Sequence, residues 1–216
     1  MRYPPDQKAT TRRRILDAAG RILRRRGYHG SGVDAVMREA GLTHGGFYSH
    51  FRNKDALFAD VVSHAAEAMA DRRDTWTEGM AGTQRLETVL RRYLSPEHLG
   101  SVDAGCPVPP LISEVGRADA GTKEAFEDVL RRWGADLEAD FEGLDPSARP
   151  DAALATVAAC VGGMSLARAV DDPGLAQRLL DACRDMVRRA YLPTAPVADA
   201  GIAHTGEANA KEEVPS

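Results

Sequence analysis

Two short helices joined by a tight turn are predicted by residues 31–54, which read SGVDAVMREAGLTHGGFYSHFRNK. Ser31 is a candidate N-cap for the first helix, and Gly41 marks its end. Thr43 is a candidate N-cap for the second helix, which runs to about His50. These dimensions are typical of a helix-turn-helix, although an ordinary helical hairpin with a glycine turn has the same spacing.

The outward positions of the second predicted helix suit contact with DNA. His44 can donate or accept a hydrogen bond at a base edge, and the two glycines that follow it allow close approach of the backbone. Tyrosine and histidine further along can reach phosphates, and Lys54 lies at the start of the next helix, where charge and helix dipole both favour an anion. The candidate contacts are His44, Gly45, Gly46, Tyr48, His50 and Lys54.

Helical periodicity continues on both sides of this stretch. Upstream, Ile15, Ala18, Ala19, Ile22 and Leu23 form an apolar stripe. This helix is predicted to start at Thr10 or Thr11 and to stop at Gly27. Downstream, Asn53 is a candidate N-cap for a long helix, and the last two helices follow Pro150 and Pro173. No alternating β-branched run is present, so the sequence predicts an all-α fold of about nine helices.

Charge is distributed unevenly along the chain. The 216 residues carry a net charge of −4, but residues 1–54 hold 12 Lys and Arg against 4 Asp and Glu. The remaining residues hold 16 against 28 and are therefore acidic. This asymmetry is typical of a nucleic-acid-binding head on an acidic body. An arginine-rich helix face that binds only water has the same composition.

Several function classes are not supported by the sequence. No run of about 18 apolar residues is present, and the N-terminus carries no secretory signal, so no membrane partner and a cytoplasmic location are expected. Three scattered cysteines do not suit a disulfide framework. The histidines and cysteines lack metal-ligand spacing, and no phosphate-binding loop occurs, so no metal or cofactor is expected. A nucleophile pair of Cys106 and His98 is conceivable, but no orienting group can be named, and the protein is not expected to be an enzyme.

The stretch VDAVMREAGLTHGGFYSHFRNKDALF, residues 33–58, resembles the DNA-binding signature of the TetR/AcrR family of bacterial regulators. The resemblance covers about residues 11–62 and implies a three-helix DNA-binding head, a helical effector-binding and dimerisation body, and a homodimer. It places family DNA contacts at Thr43, His44, Gly46, Tyr48, His50 and Lys54. Gly32 replaces a threonine that touches phosphate in many members, and Ser31 is the candidate to take that role.

The resemblance also divides the chain. It implies a DNA-binding domain over residues 8–53 and an effector-binding and dimerisation domain over 54–192. From about Pro193 the sequence turns to Ala, Gly, Thr, Glu and Pro without periodicity, which predicts a disordered tail over 193–216. The last two helices are expected to form the dimer interface, with Gly162 and Gly163 allowing close helix approach. Its apolar contacts would be Leu166, Leu175, Leu179, Met186 and Val187. The same pattern also fits the buried core of a monomer.

Large apolar side chains of the body are candidates for an effector pocket, although such residues are also typical of an ordinary core. They are Met69, Trp76, Met80, Tyr93, Cys106, Phe126 and Trp133. Cys106 has a second interpretation, because a cysteine at the N-cap of a helix starting near Pro107 has a lowered pKa and can sense electrophiles or oxidants. Free cysteine is also common as a small buried apolar residue.

The sequence therefore predicts a regulator, most simply a repressor, that a small-molecule effector releases from a palindromic double-stranded DNA operator. Two alternatives stay open. One is an electrophile or redox sensor acting through Cys106, and the other is a helical dimeric interaction module without DNA binding.

Overall fold

Nine α-helices and two 3₁₀-helices account for the regular structure of residues 5–103 and 105–192, which the computed structural model describes. The α-helices are α1 (Pro5–Arg26), α2 (Val33–Glu39), α3 (Lys54–Trp76), α4 (Gly82–Tyr93), α5 (Pro96–Gly100), α6 (Val108–Val115), α7 (Ala120–Glu138), α8 (Arg149–Arg168) and α9 (Pro173–Tyr191). The 3₁₀-helices are His44–Ser49 and Pro146–Ala148. The described part contains no strand, so the all-α prediction is confirmed. The predicted tail, 193–216, lies outside the described residues.

The C-terminal end of the first helix lies where the sequence predicted it, but the N-terminal end does not. Gly27 ends α1 with φ 68°, a left-handed conformation that suits glycine. The predicted start at Thr10 or Thr11 is wrong, because α1 already begins at Pro5. The Thr11 hydroxyl donates to the Gln7 carbonyl at 2.8 Å, a hydrogen bond back along the helix in place of a cap.

The N-terminal head is built on apolar residues of four elements. The stripe of α1 packs against α2 and the first turns of α3, and Phe47 from the first 3₁₀-helix is fully buried. Gly41 turns the chain after α2 with φ 67°, as the helix-turn-helix prediction requires. Asn53 caps α3 as predicted, since its side chain accepts a hydrogen bond from the Ala56 amide at 2.8 Å.

The body is a bundle in which α7 packs on α3 and α8, and α8 packs on α9. Gly163 lies where α8 and α9 approach closely, because a Cβ there would be 2.8 Å from Cys183 Sγ. This close approach is within one chain, and Gly162 has no atom within 4 Å of such a Cβ. Val187 was predicted at the dimer interface, but it is buried in the protomer's own core.

The helical stretch Pro146–Arg168 has a mean hydropathy of 1.3 over 18 residues, so by length and composition it could cross a membrane. One such helix is weak evidence for a membrane span, because a buried core helix passes the same test. In the structure 56% of that window is buried, as expected for a core helix that packs on α7 and α9.

Candidate DNA-binding surface and body cavity

The predicted second helix of the helix-turn-helix is a short 3₁₀-helix, His44–Ser49, which we call the recognition segment. Phe47 and Phe51 hold it in the head, with ring centroids 5.6 Å apart and both side chains buried. Because one face is fixed in the core, the opposite face is presented to solvent. Thr43, the N-cap, is exposed, although its side chain makes no capping hydrogen bond.

The exposed face carries most of the predicted DNA contacts. Tyr48 is 65% exposed, the largest exposed fraction among the bulky apolar side chains of the described residues. Its ring lies edge-on to that of His44, with centroids 5.9 Å apart. Gly45 is open on its outer side, since no atom would lie within 4 Å of a Cβ there. Gly46 is less open, because its Cβ would contact Met37 at 3.5 Å. The segment therefore combines bare backbone with two exposed rings.

His44 has a defined orientation. Its Nδ1 lies 2.5 Å from a carboxylate oxygen of Asp34 on α2. In the neutral imidazole, Nδ1 then carries the proton and Nε2 is the acceptor nitrogen. This side-chain contact therefore joins α2 to the recognition segment across the turn between them.

Two predicted phosphate contacts are placed differently from expectation. Ser31 does not cap α2, because the N-cap is Gly32. The Ser31 side chain is buried and its hydroxyl donates to the Gly27 carbonyl at 2.5 Å, so it does not face solvent. Lys54 Nζ donates to the Tyr28 carbonyl at 2.5 Å and lies 3.9 Å from the centre of the Tyr28 ring. Burial lowers the pKa of this ammonium.

His50 is half-buried, and its Nδ1 has no hydrogen-bond partner among the described residues. Burial, with smaller contributions from Lys8 and Arg12, lowers the pKa of His50. These two cations of α1 thus lie near the recognition segment, and motif comparison alone did not single them out. The basic composition of the first 54 residues was the signal that could have found them.

A cavity of about 160 Å³ lies in the body between α3, α6 and α7. Of the predicted effector contacts, Met69, Cys106 and Trp133 line it. The others do not belong to its lining; they are Trp76, Met80, Tyr93 and Phe126. Trp76 instead lines an open surface groove, and Tyr93 is buried in the core behind Trp133.

Sequence reasoning missed the polar part of the cavity lining. Arg73 and Asp136 both line the cavity, and their side chains are 3.5 Å apart between Nη2 and Oδ2. Arg73 lies one turn after Met69 on α3, and Asp136 lies close after Trp133 on α7. Helical spacing from the two correctly predicted residues could have found them.

Cys106 is a wall residue of the cavity rather than a capped thiolate. The N-cap of α6 is Pro107, so Cys106 precedes the cap, and the side chain is 2% exposed. Burial raises the pKa of the Cys106 thiol, which is opposite to the shift predicted for a sensor thiolate. The prediction of an exposed, activated cysteine is therefore wrong, and the buried apolar interpretation holds.

His98 holds the loop that leads to Cys106. Its Nδ1 lies 2.7 Å from the Tyr93 carbonyl, and its Nε2 accepts the Cys106 backbone N–H at 2.9 Å. Gly105 is required beside it, because a Cβ there would be 2.9 Å from the imidazole ring and 2.6 Å from the Ser101 carbonyl. Since Nε2 is occupied by an amide, His98 is not placed as a base for the thiol, and the conceived Cys106–His98 nucleophile pair does not form.

Contacts connect this loop and α6 to the head. Arg25 donates to both carboxylate oxygens of Asp103, and Arg24 donates to the Asp103 carbonyl. Glu114 of α6 accepts the Tyr28 backbone N–H at 2.5 Å. We call these contacts the head–body clasp. Through it, the segment that forms one wall of the cavity is attached to the C-terminal end of α1.

Comparison with known proteins agrees with the geometry of the head. Residues 15–61 match the model of a family described as bacterial regulatory proteins, tetR family. The chain is 26% identical over 164 residues to the HTH-type transcriptional regulator LmrA of Bacillus subtilis, covering 72% of this chain and 85% of that relative.

Solved structures with the same fold span almost the whole described chain. A TetR transcriptional regulator from Chloroflexus aurantiacus superposes with a TM-score of 0.70 at 20% identity, covering 85% of this chain and 95% of the other. The regulator FadR from Bacillus subtilis, in complex with stearoyl-CoA, superposes with a TM-score of 0.63 at 17% identity, covering 81% and 96%.

His98 gives a prediction about stability and pH. Burial lowers its pKa from 6.5 to about 4, so the folded protein holds it neutral where the unfolded chain binds a proton. The contribution of the neutral His98 side chain to the free energy of unfolding is therefore fully present above pH 6.5. It is lost progressively as the pH falls toward 4. The destabilisation caused by His98→Gln is expected to shrink by up to about 3 kcal/mol across this window.

Urea unfolding of both proteins at several pH values measures this difference. Asp140, whose pKa burial raises to about 6, is present in both proteins, so its own titration cancels. A difference in stability that stays constant from pH 6.5 to 4 would show that His98 titrates alike in the folded and unfolded states.

Proposed function

Because this chain belongs to the TetR family of bacterial regulatory proteins, we propose that it is a cytoplasmic repressor that binds a palindromic operator as a homodimer and is released by a small effector. It is a transcriptional regulator with a helix-turn-helix and not an enzyme. The observation that carries the proposal is the exposed outer face of the recognition segment, with Tyr48 and His44 on a backbone fixed by buried Phe47. The proposed DNA-binding domain is residues 8–53, and the body is 54–192.

The exposed residues of the recognition segment have separate roles in this proposal. His44 reads a base, because its Nδ1 is engaged by Asp34 and Nε2 is the nitrogen that faces away from that contact. Tyr48 contacts a phosphate, and Gly45 lets the backbone approach the groove. Lys54 stabilises the junction with the body through Tyr28, in place of the phosphate contact that the motif implied.

Tyr48→Ala is expected to weaken binding to a duplex of random sequence and to a selected operator alike, each by about tenfold, because a phosphate contact carries no sequence information. His44→Ala is expected to change the preferred sequence instead. Fluorescence anisotropy with both duplexes measures this, and Ile112→Ala, at an exposed position of α6, is the matched control. Unchanged melting temperatures should accompany the loss, since Tyr48 is exposed.

The salt dependence of the same titrations tests DNA binding itself. An interface with six or more phosphate contacts loses about 10³ in affinity between 50 and 200 mM salt. A flat salt dependence would contradict DNA binding and favour the interaction-module alternative.

The proposed dimer interface is the outer face of α8 and α9. Leu166 and Met186 are each more than half exposed, and Gly162 offers an open backbone beside Leu166. Exposed leucine and methionine on adjacent helices favour burial against a second copy. To reach successive major-groove faces, the two recognition segments of such a dimer must lie about 34–36 Å apart.

Leu166→Glu is expected to shift the protein from dimer to monomer, because a carboxylate would be buried at the interface without a partner. Sedimentation equilibrium measures the shift, which should exceed about 100-fold in dissociation constant for a loss of about 3 kcal/mol. Ile112→Glu, at an exposed apolar position of α6, is the control and should leave the dimer intact. A dimer that survives Leu166→Glu would place the interface on another face.

Effector release is proposed to run through the cavity and the head–body clasp. A molecule entering the cavity displaces the wall formed by Cys106 and Val108, which is continuous with Asp103. Asp103 in turn is held by Arg25 at the end of α1. Because the effector needs to bind the DNA-incompatible arrangement better by only a few kcal/mol, a small displacement of this kind is sufficient.

Filling the cavity from inside tests this route without a ligand. Ala66 lines the cavity from α3, and Ala66→Phe is expected to act as a built-in ligand and weaken binding to the selected operator by about tenfold. Adding Asp103→Asn to the same protein should restore binding, because the wall can then move without pulling on Arg25. Anisotropy titration measures both effects.

Ala135→Phe, on an exposed position of α7, is the control for the added aromatic ring. Circular dichroism melts must show that Ala66→Phe folds. A folded Ala66→Phe protein that binds the operator as tightly as the unsubstituted chain would contradict coupling through the cavity.

A further inference from the structure

The cavity that we propose as the effector site contains two buried N–H groups without partners. The side chains of Arg73 and Trp133 are 5% and 3% exposed, and both line the cavity. Arg73 Nε and Trp133 Nε1 have no hydrogen-bond partner among the described residues. Their positions are related, because the Arg73 guanidinium carbon lies 5.1 Å from the centre of the Trp133 ring. Buried donors of this kind favour a ligand that brings an acceptor.

The two guanidinium groups around these donors are already paired. Arg73 lies beside Asp136, and Arg85 bridges Asp136 at 2.8 Å and Asp140 at 2.5 Å. Arg85 also lies 4.0 Å from Asp74, so two guanidinium groups face three carboxylates. A further carboxylate from a ligand would have to compete with Asp136 for Arg73 and would lose its hydration, which is costly in a buried site. The arrangement favours a neutral acceptor over an anion.

The volume and the apolar walls of the cavity limit the size and the polarity of the part of the ligand beyond its acceptor. A cavity of 150 Å³ with apolar walls is known to admit benzene, and this one measures about 160 Å³. Its apolar lining comes mainly from α3, α6 and α7; the residues are Ala66, Met69, Ala70, Val108, Val129 and Trp133. A molecule of the size of an acyl-CoA, as bound by the Bacillus subtilis neighbour, exceeds this volume many times.

From these three observations we infer that the cavity takes a neutral, single-ring compound whose carbonyl oxygen accepts hydrogen bonds from Trp133 and Arg73. The inference rests on the proposed effector site and names the chemical class that fits it. The apolar ring replaces empty volume between α3 and α7, and the carbonyl satisfies donors that have no partner among the described residues.

Three compounds of nearly equal size test the inference by calorimetry on the full chain without DNA. Acetophenone carries a neutral carbonyl, cumene has no acceptor, and benzoate carries a charged one. Acetophenone is expected to bind at least about tenfold more tightly than cumene, because cumene leaves both donors unpaired. Benzoate is expected to bind more weakly than acetophenone, because Arg73 already forms an ion pair with Asp136 and the benzoate carboxylate would have to compete for it.

Substitution assigns the preference to the indole. Trp133→Phe should lower the affinity for acetophenone toward that for cumene, with Arg73 Nε as the remaining donor, and leave the affinity for cumene unchanged. Trp76→Phe is the matched control, since Trp76 lies outside the cavity lining, and it should alter neither. Ala66→Phe should abolish binding of all three compounds by occupying the volume.

Each contrary result overturns the inference in a distinct way. Equal binding of acetophenone and cumene to the unsubstituted chain would remove the role of the donors. Tighter binding of benzoate would make this a carboxylate site, and absence of binding by all three would exclude a single-ring ligand. If acetophenone binds as expected but leaves the operator complex intact, the ligand class stands and effector release fails. If Ala66→Phe weakens operator binding while none of the three compounds binds, effector release stands and the ligand class fails.

Discussion

Tyr28 is the residue on which the junction of head and body depends. Its backbone N–H donates to Glu114 of α6, its carbonyl accepts from Lys54 of α3, and its hydroxyl pairs with Asp55. The ring also lies under the Lys54 ammonium. Burial and then Asp55 raise the pKa of the phenol to about 12, so the hydroxyl stays a donor. Tyr28, two residues after the end of α1, thereby contacts two other helices, α3 and α6, through its backbone and its hydroxyl.

The body has a different character, because its polar groups are buried in clusters. Arg73, Arg85, Asp136 and Asp140 form a chain of ion pairs across α3, α4 and α7. Such a cluster contributes little to stability compared with apolar packing, but it fixes which helix faces which. Arg73 Nε and Asp136 Oδ2 of this cluster, and Nε1 of the neighbouring Trp133, have no hydrogen-bond partner in the described part. The head is held by many hydrogen bonds, whereas the cavity contains polar groups without partners. This arrangement suits a ligand-controlled switch, because a ligand can pair with the groups in the cavity.

Sequence reasoning was correct for features that depend on residues close together in the chain, and it was less successful for features that depend on distant residues. The apolar stripe of α1, Gly41 and Asn53 were placed correctly, because apolar spacing, glycine turns and capping depend on residues a few positions apart. The burial of Ser31 and the placement of Lys54 could not be read in the same way, since both depend on the chain turning back at residues 27–30. The sequence left the sensor and the buried interpretations of Cys106 both open, because its burial depends on His98 and on helices that approach from elsewhere in the chain.

By itself, the sequence determined most of the helices, the helix-turn-helix and the similarity of the head to the TetR family, because these follow from periodicity and from a contiguous motif between residues 31 and 58. Tertiary structure alone decided which side chains of the motif are exposed and which large side chains surround the cavity. It also decided which hydrogen-bond donors of the cavity have no partner among the described residues. The physical reason is that burial, charge balance and hydrogen-bond pairing depend on distances between side chains such as Arg73, Trp133 and Asp136, whose contacts run between α3 and α7.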